Sequence, residues 1–118
     1  MSDDPRTIDS AELPEIITSY LEAHQARDLD VAVRSYASDA TVTDEGTTYR
    51  GPEEIRAWLS RSAREFTYTI EMIGATKLDE DRYDVLHHLE GNFPGGRVDL
   101  HFRFTLHDGA ITHLVIEE

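Results

Sequence analysis

Hydrophobic positions in the first third of the chain recur at helical spacing. A stripe of positions three or four residues apart predicts a helix over residues 12–26, with Asp9 or Ser10 as its N-cap. Asp28 is placed to cap a second, shorter helix over residues 29–37. The stripe of the first helix consists of Leu13, Ile16, Ile17, Tyr20, Leu21 and His24.

A short hairpin and a third helix follow. Residues 40–43 and 47–49 are rich in β-branched side chains, as is typical of strands, and Asp44-Glu45-Gly46 forms the turn between them. Gly51 and Pro52 interrupt this pattern, and Pro52 suits the first turn of a helix. The core-facing positions of this third helix are Ile55, Trp58 and Leu59.

From residue 66 onward the hydrophobic period shortens to about two, which predicts strands. We expect them over residues 66–78, 83–91, 97–107 and 110–117. Turn sequences at 93–96 and 107–110 separate the last three, so these strands are antiparallel neighbours. Helices followed by a strand meander predict an α+β fold rather than a parallel sheet.

Length and composition are those of one globular domain. The chain has 118 residues, which is enough for one core and too short for two. Residues 1–10 are polar and acidic and predict a flexible N-terminal leader, which leaves residues 11–118 as the single domain. No apolar run approaches the ~20 residues that cross a bilayer.

Charge and cysteine content narrow the function classes. The formal charge of −13 disfavours nucleic acid and anionic membranes as partners, because surfaces that bind phosphates are basic. The absence of cysteine excludes disulfides and thiolate chemistry and makes a cytoplasmic location the expectation. No phosphate-binding loop, serine nucleophile elbow or zinc-protease helix is present. We therefore expect neither a metal nor a cofactor.

Three segments carry a family resemblance. They are residues 20–46, residues 50–56 at the start of the third helix, and His101-Phe102-Arg103-Phe104 on a late strand. Together they resemble the ketosteroid isomerases and the SnoaL-like polyketide cyclases of the nuclear-transport-factor-2-like superfamily. The resemblance implies a cone in which about three N-terminal helices pack on a strongly curved, mainly antiparallel sheet. It specifies the fold more closely than the chemistry.

The resemblance also implies a catalytic pair. Asp44 stands where ketosteroid isomerases carry their general base, and Tyr20 matches the tyrosine that donates a hydrogen bond to the substrate oxygen. A carboxylate can move a proton between carbons while a hydroxyl stabilises the enolate oxygen. The structural alternatives are a turn acid for Asp44 and a core aromatic for Tyr20.

One position departs from the isomerases. They place a second donor, a protonated carboxylic acid, immediately before the His-Phe-Arg-Phe segment, and here that position is Leu100. Asp99 is one residue earlier, and a shift of one residue along a strand points it to the opposite face. The loss of a donor counts against efficient steroid isomerisation, because it costs about 3 kcal/mol of transition-state stabilisation.

His87 is the candidate replacement for that donor. A hairpin centred on Pro94-Gly95 pairs His87 with Phe102 and places the imidazole on the cavity face. There it can donate to a carbonyl or act with Asp44, as SnoaL-like cyclases are thought to use a histidine and an aspartate. The alternative is a hydrogen-bonded or partly exposed histidine.

Other histidines and the wall of the cavity complete the predicted site. His88 and His101 fall on the outer face, without a third metal ligand. The Asp-Gly turn places His113 on the cavity face, whereas the resemblance favours Leu114 and Ile116 there. The residues expected to line the substrate site are Tyr36, Trp58, Val85, Leu89, Leu100, Phe102 and His113.

Two functions of different classes fit these features. The first is a cofactor-free enzyme that isomerises or cyclises a small apolar carbonyl compound by proton transfer. The alternative is a non-catalytic module for ligand binding or dimerisation, and the resemblance implies a homodimer through the sheet. Epoxide hydrolysis would need a buried Asp-Arg-Asp arrangement, which the sequence does not supply.

Overall fold

Three helices form where the sequence has helical spacing. The structure is a computed structural model and describes residues 5–65 and 67–118. The first helix begins later than predicted because Pro14 has an extended backbone, and the N–H of Asp9 instead donates to Glu12 Oε2 (2.9 Å) in a separate 3₁₀ turn, Ser10–Glu12. The helices are α1 (Glu15–Ala26), α2 (Leu29–Arg34) and α3 (Gly51–Glu65).

Helix α2 has the predicted start and an earlier end. The carboxylate of Asp28 accepts a hydrogen bond from the N–H of Val31 at 3.3 Å, which satisfies one of the free donors of the first turn. The helix stops at Arg34 because Tyr36 already belongs to a strand. Tyr36 is therefore a strand residue and not part of the predicted second helix.

Seven strands form one curved sheet. Their order is β1-β4-β5-β6-β7-β2-β3, and β2 pairs in parallel with β7 while the other described pairs are antiparallel. The predicted α+β architecture is confirmed. Phe66, the first residue of the strand predicted over residues 66–78, lies outside the described residues. The strands are β1 (Arg6–Thr7), β2 (Tyr36–Asp44), β3 (Thr47–Arg50), β4 (Tyr68–Lys77), β5 (Arg82–Gly91), β6 (Arg97–His107) and β7 (Ala110–Glu117).

Part of the predicted leader belongs to the sheet. Strand β1 pairs with β4 at the sheet edge, and the N–H of Ile8 donates to the carbonyl of Ala75 at 3.0 Å. Ile8 is buried and attaches this segment to the core. A strand of two residues is too short to show a hydrophobic period, so the sequence pattern missed it. Residues 1–4 of the predicted leader lie outside the described residues.

The β5–β6 hairpin differs from the predicted register. Val85, rather than His87, pairs with Phe102. Asn92 leaves the hairpin to exchange two hydrogen bonds with Thr67, which makes the loop asymmetric and moves the centre of the pairing. Because His87 shifts by an even number of positions, its side chain remains on the predicted face.

A bulge decides the orientation of His113. The β6–β7 register shifts between Thr105 and Leu106, so Thr112 is an extra residue on β7. His113 consequently lies on the outer face, where its ring is hydrogen-bonded to the hydroxyl of Thr41. The placement of His113 in the cavity is therefore wrong. The buried positions of β7 are Ile111, Leu114 and Ile116.

The core lies between the helices and the inner face of the sheet. The ring of Tyr20 on α1 packs edge-on against Phe104 on β6, with centroids 5.9 Å apart. Further fully buried core residues are Ile17, Val42, Ile55, Val85, Ile111 and Leu114.

No helix in the described part of the chain has both the length and the hydropathy to cross a membrane.

Gly91 allows β4 and β5 to meet closely. A Cβ atom at this position would lie 2.4 Å from the carbonyl oxygen of Thr67 and 2.6 Å from Tyr68 Cβ. We expect Gly91→Ala to lower the free energy of unfolding by about 1–3 kcal/mol, because the backbone must shift to make room. Urea denaturation measures this loss.

Gly74→Ala is the matched control on the neighbouring strand. Its new Cβ would lie 3.9 Å from Leu86 Cβ, an ordinary contact. We expect the free energy of unfolding to stay within about 1 kcal/mol of the wild-type value. Equal losses in the two variants would contradict the crowding argument for Gly91.

Candidate functional site

Asp44 is the last residue of β2, at the hairpin that leads to β3. Glu45 and Gly46 form the turn with φ values of 50° and 83°, as a two-residue hairpin requires. Trp58 on α3 donates from Nε1 to Asp44 Oδ2 at 2.9 Å. The hairpin and the helix together hold the half-buried carboxylate in one orientation.

The surroundings of Asp44 adjust its basicity. Burial raises the pKa of Asp44 above its ordinary value, while the hydrogen bond from Trp58 and the charge of Arg61 lower it. Arg61 donates to the hydroxyl of Tyr49 at 2.7 Å, and the ring of Tyr49 stacks on Trp58. Because burial is the largest influence, Asp44 is a stronger base than a carboxylate in water.

Tyr20 and Tyr36 form a buried pair of hydroxyl groups. The hydroxyl of Tyr36 donates to the oxygen of Tyr20 at 2.7 Å, and the two rings are T-shaped with centroids 5.2 Å apart. Burial raises the pKa of both hydroxyls far above the ordinary value, so both are neutral. Tyr36 uses its proton on Tyr20, which leaves the proton of Tyr20 for another acceptor.

The structure brings Asp44 and Tyr20 to one region, together with Tyr68 of β4. Burial raises the pKa of the Tyr68 hydroxyl, and the negative charge of Asp44 adds to this effect at both Tyr68 and Tyr20. The negative charge of Asp44, the base that the resemblance implies, therefore acts on Tyr20, the implied hydroxyl donor.

A small cavity lies next to Tyr68, and Asp44, Tyr20 and His87 are not among the residues that line it. The cavity has a volume of about 20 Å³ and lies where α1 ends, bounded by α2, α3 and the start of β4. It can hold one or two water molecules, whereas ligand pockets measure ~300–1,000 Å³. This cavity is too small for a ligand, which could enter here only if lining side chains moved. The lining residues are Ala23, His24, Arg27, Asp28, Leu29, Ala32, Leu59 and Tyr68.

His87 lies on the inner face of β5 and is 1% exposed. Neither of its ring nitrogens has a hydrogen-bond partner among the described residues. Burial, with a smaller contribution from His24, lowers the pKa of His87 to about 4, so the imidazole is neutral and has one donor and one acceptor nitrogen. A buried unpaired group destabilises the fold, which makes His87 a candidate for binding a ligand.

The other predicted lining residues lie on the inner wall or close to it. Val85, Leu89 and Phe102 are buried, and Leu100 is partly buried and pairs with His87 across the strands. The ring of His87 packs edge-on against Phe102, with centroids 4.6 Å apart. Tyr36 and Trp58 are buried as well, but they donate their hydrogen bonds to the Tyr20 and Asp44 side chains.

His88 and His101 lie on the outer face, as predicted. His88 is hydrogen-bonded to Asp99 at 2.6 Å and to Glu90 at 3.0 Å, and His101 is hydrogen-bonded to Asp84 at 3.0 Å. Within residues 5–65 and 67–118, no group of three histidine or acidic side chains is arranged to hold a metal ion. Asp99 is thus committed to an outer pair and does not reach the cavity.

Sequence reasoning missed three residues at the cavity. Tyr68 lies on the same face of β4 as Ile70, two residues further on, and this alternation in the sequence could have identified it. His24 stood on the apolar stripe of the first helix, where we interpreted it as packing. Arg27 gave no signal, because its position depends on how α1 ends.

The fold and the buried polar residues are those of a cone of the nuclear-transport-factor-2-like type. The family model described as the SnoaL-like domain matches residues 17–114. The chain therefore belongs to the SnoaL-like family.

Solved structures agree with this assignment. A candidate polyketide cyclase from Sinorhizobium meliloti is 33% identical, and the match covers 93% of this chain and 100% of that chain with a TM-score of 0.87. A protein of ketosteroid isomerase-like fold from Catenulispora acidiphila, solved with trimethylamine, is 20% identical over 89% of this chain and 85% of that one, with a TM-score of 0.77. This second likeness supports the fold alone. No curated protein matches the chain.

The unpaired imidazole of His87 predicts a pH-dependent loss of stability. Its pKa is about 4 in the folded state against an ordinary value of 6.5, so between these values only the unfolded chain takes up the proton. The folded state therefore loses up to about 3 kcal/mol from this group as the pH falls through that window. We expect His87→Leu to raise the free energy of unfolding and to flatten this slope, measured by urea denaturation from pH 7 to pH 4.

The difference between wild type and His87→Leu separates the contribution of His87 to the pH dependence of stability from the contributions of the other histidines. The lowered pKa of His24, caused by burial, acts in the same direction, and the raised pKa of His88, caused by Asp99 and Glu90, acts in the opposite one. The exposed His107 provides the control His107→Leu, which should keep the wild-type slope. An unchanged slope in His87→Leu would show that this imidazole is paired or solvated.

Proposed function

We propose that this SnoaL-like protein is a cofactor-independent enzyme that transfers a proton within a small apolar carbonyl compound. The observation that supports this most directly is the combination of a half-buried Asp44 carboxylate with a raised pKa and a neutral Tyr20 hydroxyl whose own proton is not used in its bond with Tyr36. A base and an oxyanion donor are the two groups that enolisation needs.

In the proposed reaction, Asp44 removes a proton from the carbon next to the substrate carbonyl. The electron pair of the broken C–H bond forms the carbon–carbon double bond of an enolate, and the negative charge moves to oxygen. The hydroxyl of Tyr20 stabilises that oxygen, strengthened by the hydrogen bond it accepts from Tyr36. The proton then returns from Asp44 to another carbon in an isomerisation. In a cyclisation, the enolate carbon attacks a second carbonyl, whose π electrons move to oxygen, and the new alkoxide takes the proton from Asp44.

His87 supplies the second donor in this proposal. It pairs across the strands with Leu100, the position at which the isomerases carry an acid. A neutral imidazole donates one hydrogen bond at neutral pH, whereas a carboxylic acid does so only where an apolar site raises its pKa. The unpaired N–H of the ring gains an acceptor when the ligand oxygen arrives.

One observation favours the alternative, a binding module without catalysis. The cavity of about 20 Å³ is smaller than a ketone of any useful size, so the described conformation is closed. A ligand that opens it without reaching Asp44 would bind but not react.

We also propose a homodimer that forms through the outer face of the sheet. The helices cover the inner face, and the outer face presents the His88–Asp99 and His101–Asp84 pairs. Sedimentation equilibrium should give twice the mass of 13.4 kDa. A monomer at micromolar concentration would contradict the proposal.

Substitution of the proposed base tests the reaction. We expect Asp44→Asn to lower kcat/KM by at least about 100-fold, because the amide cannot accept the proton. Tyr20→Phe should lower it by about 10- to 1,000-fold through loss of the oxyanion donor. The assay follows the absorbance of the conjugated product with a panel of β,γ-unsaturated ketones and polyketide-like diketones.

The control lies on the same strand. Asp39 is an exposed residue of β2, and Asp39→Asn makes the same chemical change away from the cavity. It should retain the wild-type rate. Equal rates for wild type and Asp44→Asn would remove Asp44 from the mechanism and leave the binding module as the explanation.

A further inference from the structure

Arg27 stands at the cavity in an unusual backbone conformation. It follows the last residue of α1 with φ 58° and ψ 35°, the left-handed position at which glycine is favoured. Its N–H closes the helix on the carbonyls of Ala23 and His24. A positive charge at the C-terminal end of a helix is favourable, but a basic residue in the preceding turn would supply that charge without a left-handed backbone. The helix dipole therefore does not explain why an arginine occupies this position.

The guanidinium of Arg27 has no hydrogen bond or ion pair with any other residue that the structure describes. Arg56, in contrast, pairs with Asp30 at 2.7 Å. The acid next to Arg27, Asp28, accepts the capping hydrogen bond of α2. Arg27 therefore lines the cavity with its charge available, and that charge lowers the pKa of Tyr68 against the larger effect of burial.

A row of side chains leads from Arg27 into the interior. His24 lines the cavity beside Arg27, and its ring lies 6.3 Å from that of Phe102. Phe102 in turn lies 4.6 Å from the ring of His87, which is 1% exposed and unpaired at both nitrogens. The row has a cation at its outer end, apolar walls, and an unsatisfied donor and acceptor at its inner end.

We propose that Arg27 binds a carboxylate on the ligand, so that the substrate class is a small apolar carbonyl compound with an acidic group at the end remote from the reacting carbonyl. The position of that carbonyl rests on the function proposed above. A guanidinium offers two parallel N–H donors that match the two oxygens of a carboxylate. The net charge of −13, with Asp28 lining the same cavity, repels anions, so a local unpaired cation is what allows an acid to bind here.

A matched pair of probes tests the anchor. 4-Acetylbenzoate carries a ketone and a carboxylate on one ring, and methyl 4-acetylbenzoate has the same shape without the charge. We expect calorimetric titration to give a Kd for the acid about 10-fold or more below that of the ester, with the preference weakening as salt rises.

Variants of Arg27 separate anchoring from helix termination. Arg27→Gln should weaken binding of the acid by about 10- to 100-fold and leave the ester unchanged. Arg27→Gly relieves the left-handed backbone, so its melting temperature should not fall although the acid preference is lost. Arg97→Gln, which removes an exposed arginine at the start of β6, is the charge-matched control and should bind the acid as wild type does.

Exchange of the acetyl protons in deuterated water, followed by NMR, distinguishes this inference from the proposed function. Exchange that survives Asp44→Asn overturns the proton-transfer proposal and leaves the anchor standing. The anchor is wrong if the acid binds no more tightly than the ester, if it does not bind at millimolar concentration, or if Arg27→Gln binds it as wild type does.

Discussion

Polar groups that are buried in the interior of the cone need hydrogen-bond partners there, and this constraint determines how the site is arranged. The carboxylate of Asp44 is tolerated because Trp58 reaches it from α3, and the hydroxyl of Tyr20 is positioned because Tyr36 reaches it from β2. Each of these bonds joins two elements that are separate in sequence. The site therefore depends on the packing of helix against sheet, and a shift of either element would leave a buried polar group unpaired.

His87 is the exception to that rule. Its neighbours are aromatic or apolar, and Leu100 stands directly across from it. The same architecture in ketosteroid isomerases supports a donor acid where this chain has Leu100, so the fold leaves the choice of donor to individual side chains. A neutral imidazole in a dry wall gives a weaker donor than a buried acid, but it adds an acceptor, which suits a ligand with both a carbonyl and a hydroxyl.

The small cavity has a consequence for chemistry as well as for access. For the proposed reaction, the exclusion of bulk water from so small a space strengthens the attraction between a developing enolate oxygen and the donors around it. Arg27 and Tyr68 both line this cavity, so an exposed cation lies at the end of α1 next to it.

The local sequence pattern was enough to predict the kind and order of every described element except β1 and the 3₁₀ turn, because hydrophobic period and turn residues are local. The strands β6 and β7 have the bounds that their turns predicted, and Asp44 lies at the hairpin that the turn residues Glu45 and Gly46 predicted. Tertiary structure decided which residues face one another. Asn92 is hydrogen-bonded to the distant Thr67 in the hairpin whose register places His87, a bulge turns His113 outward, and the end of α1 puts Arg27 at the cavity. Each of these outcomes depends on contacts between segments far apart in the chain, which no local pattern records.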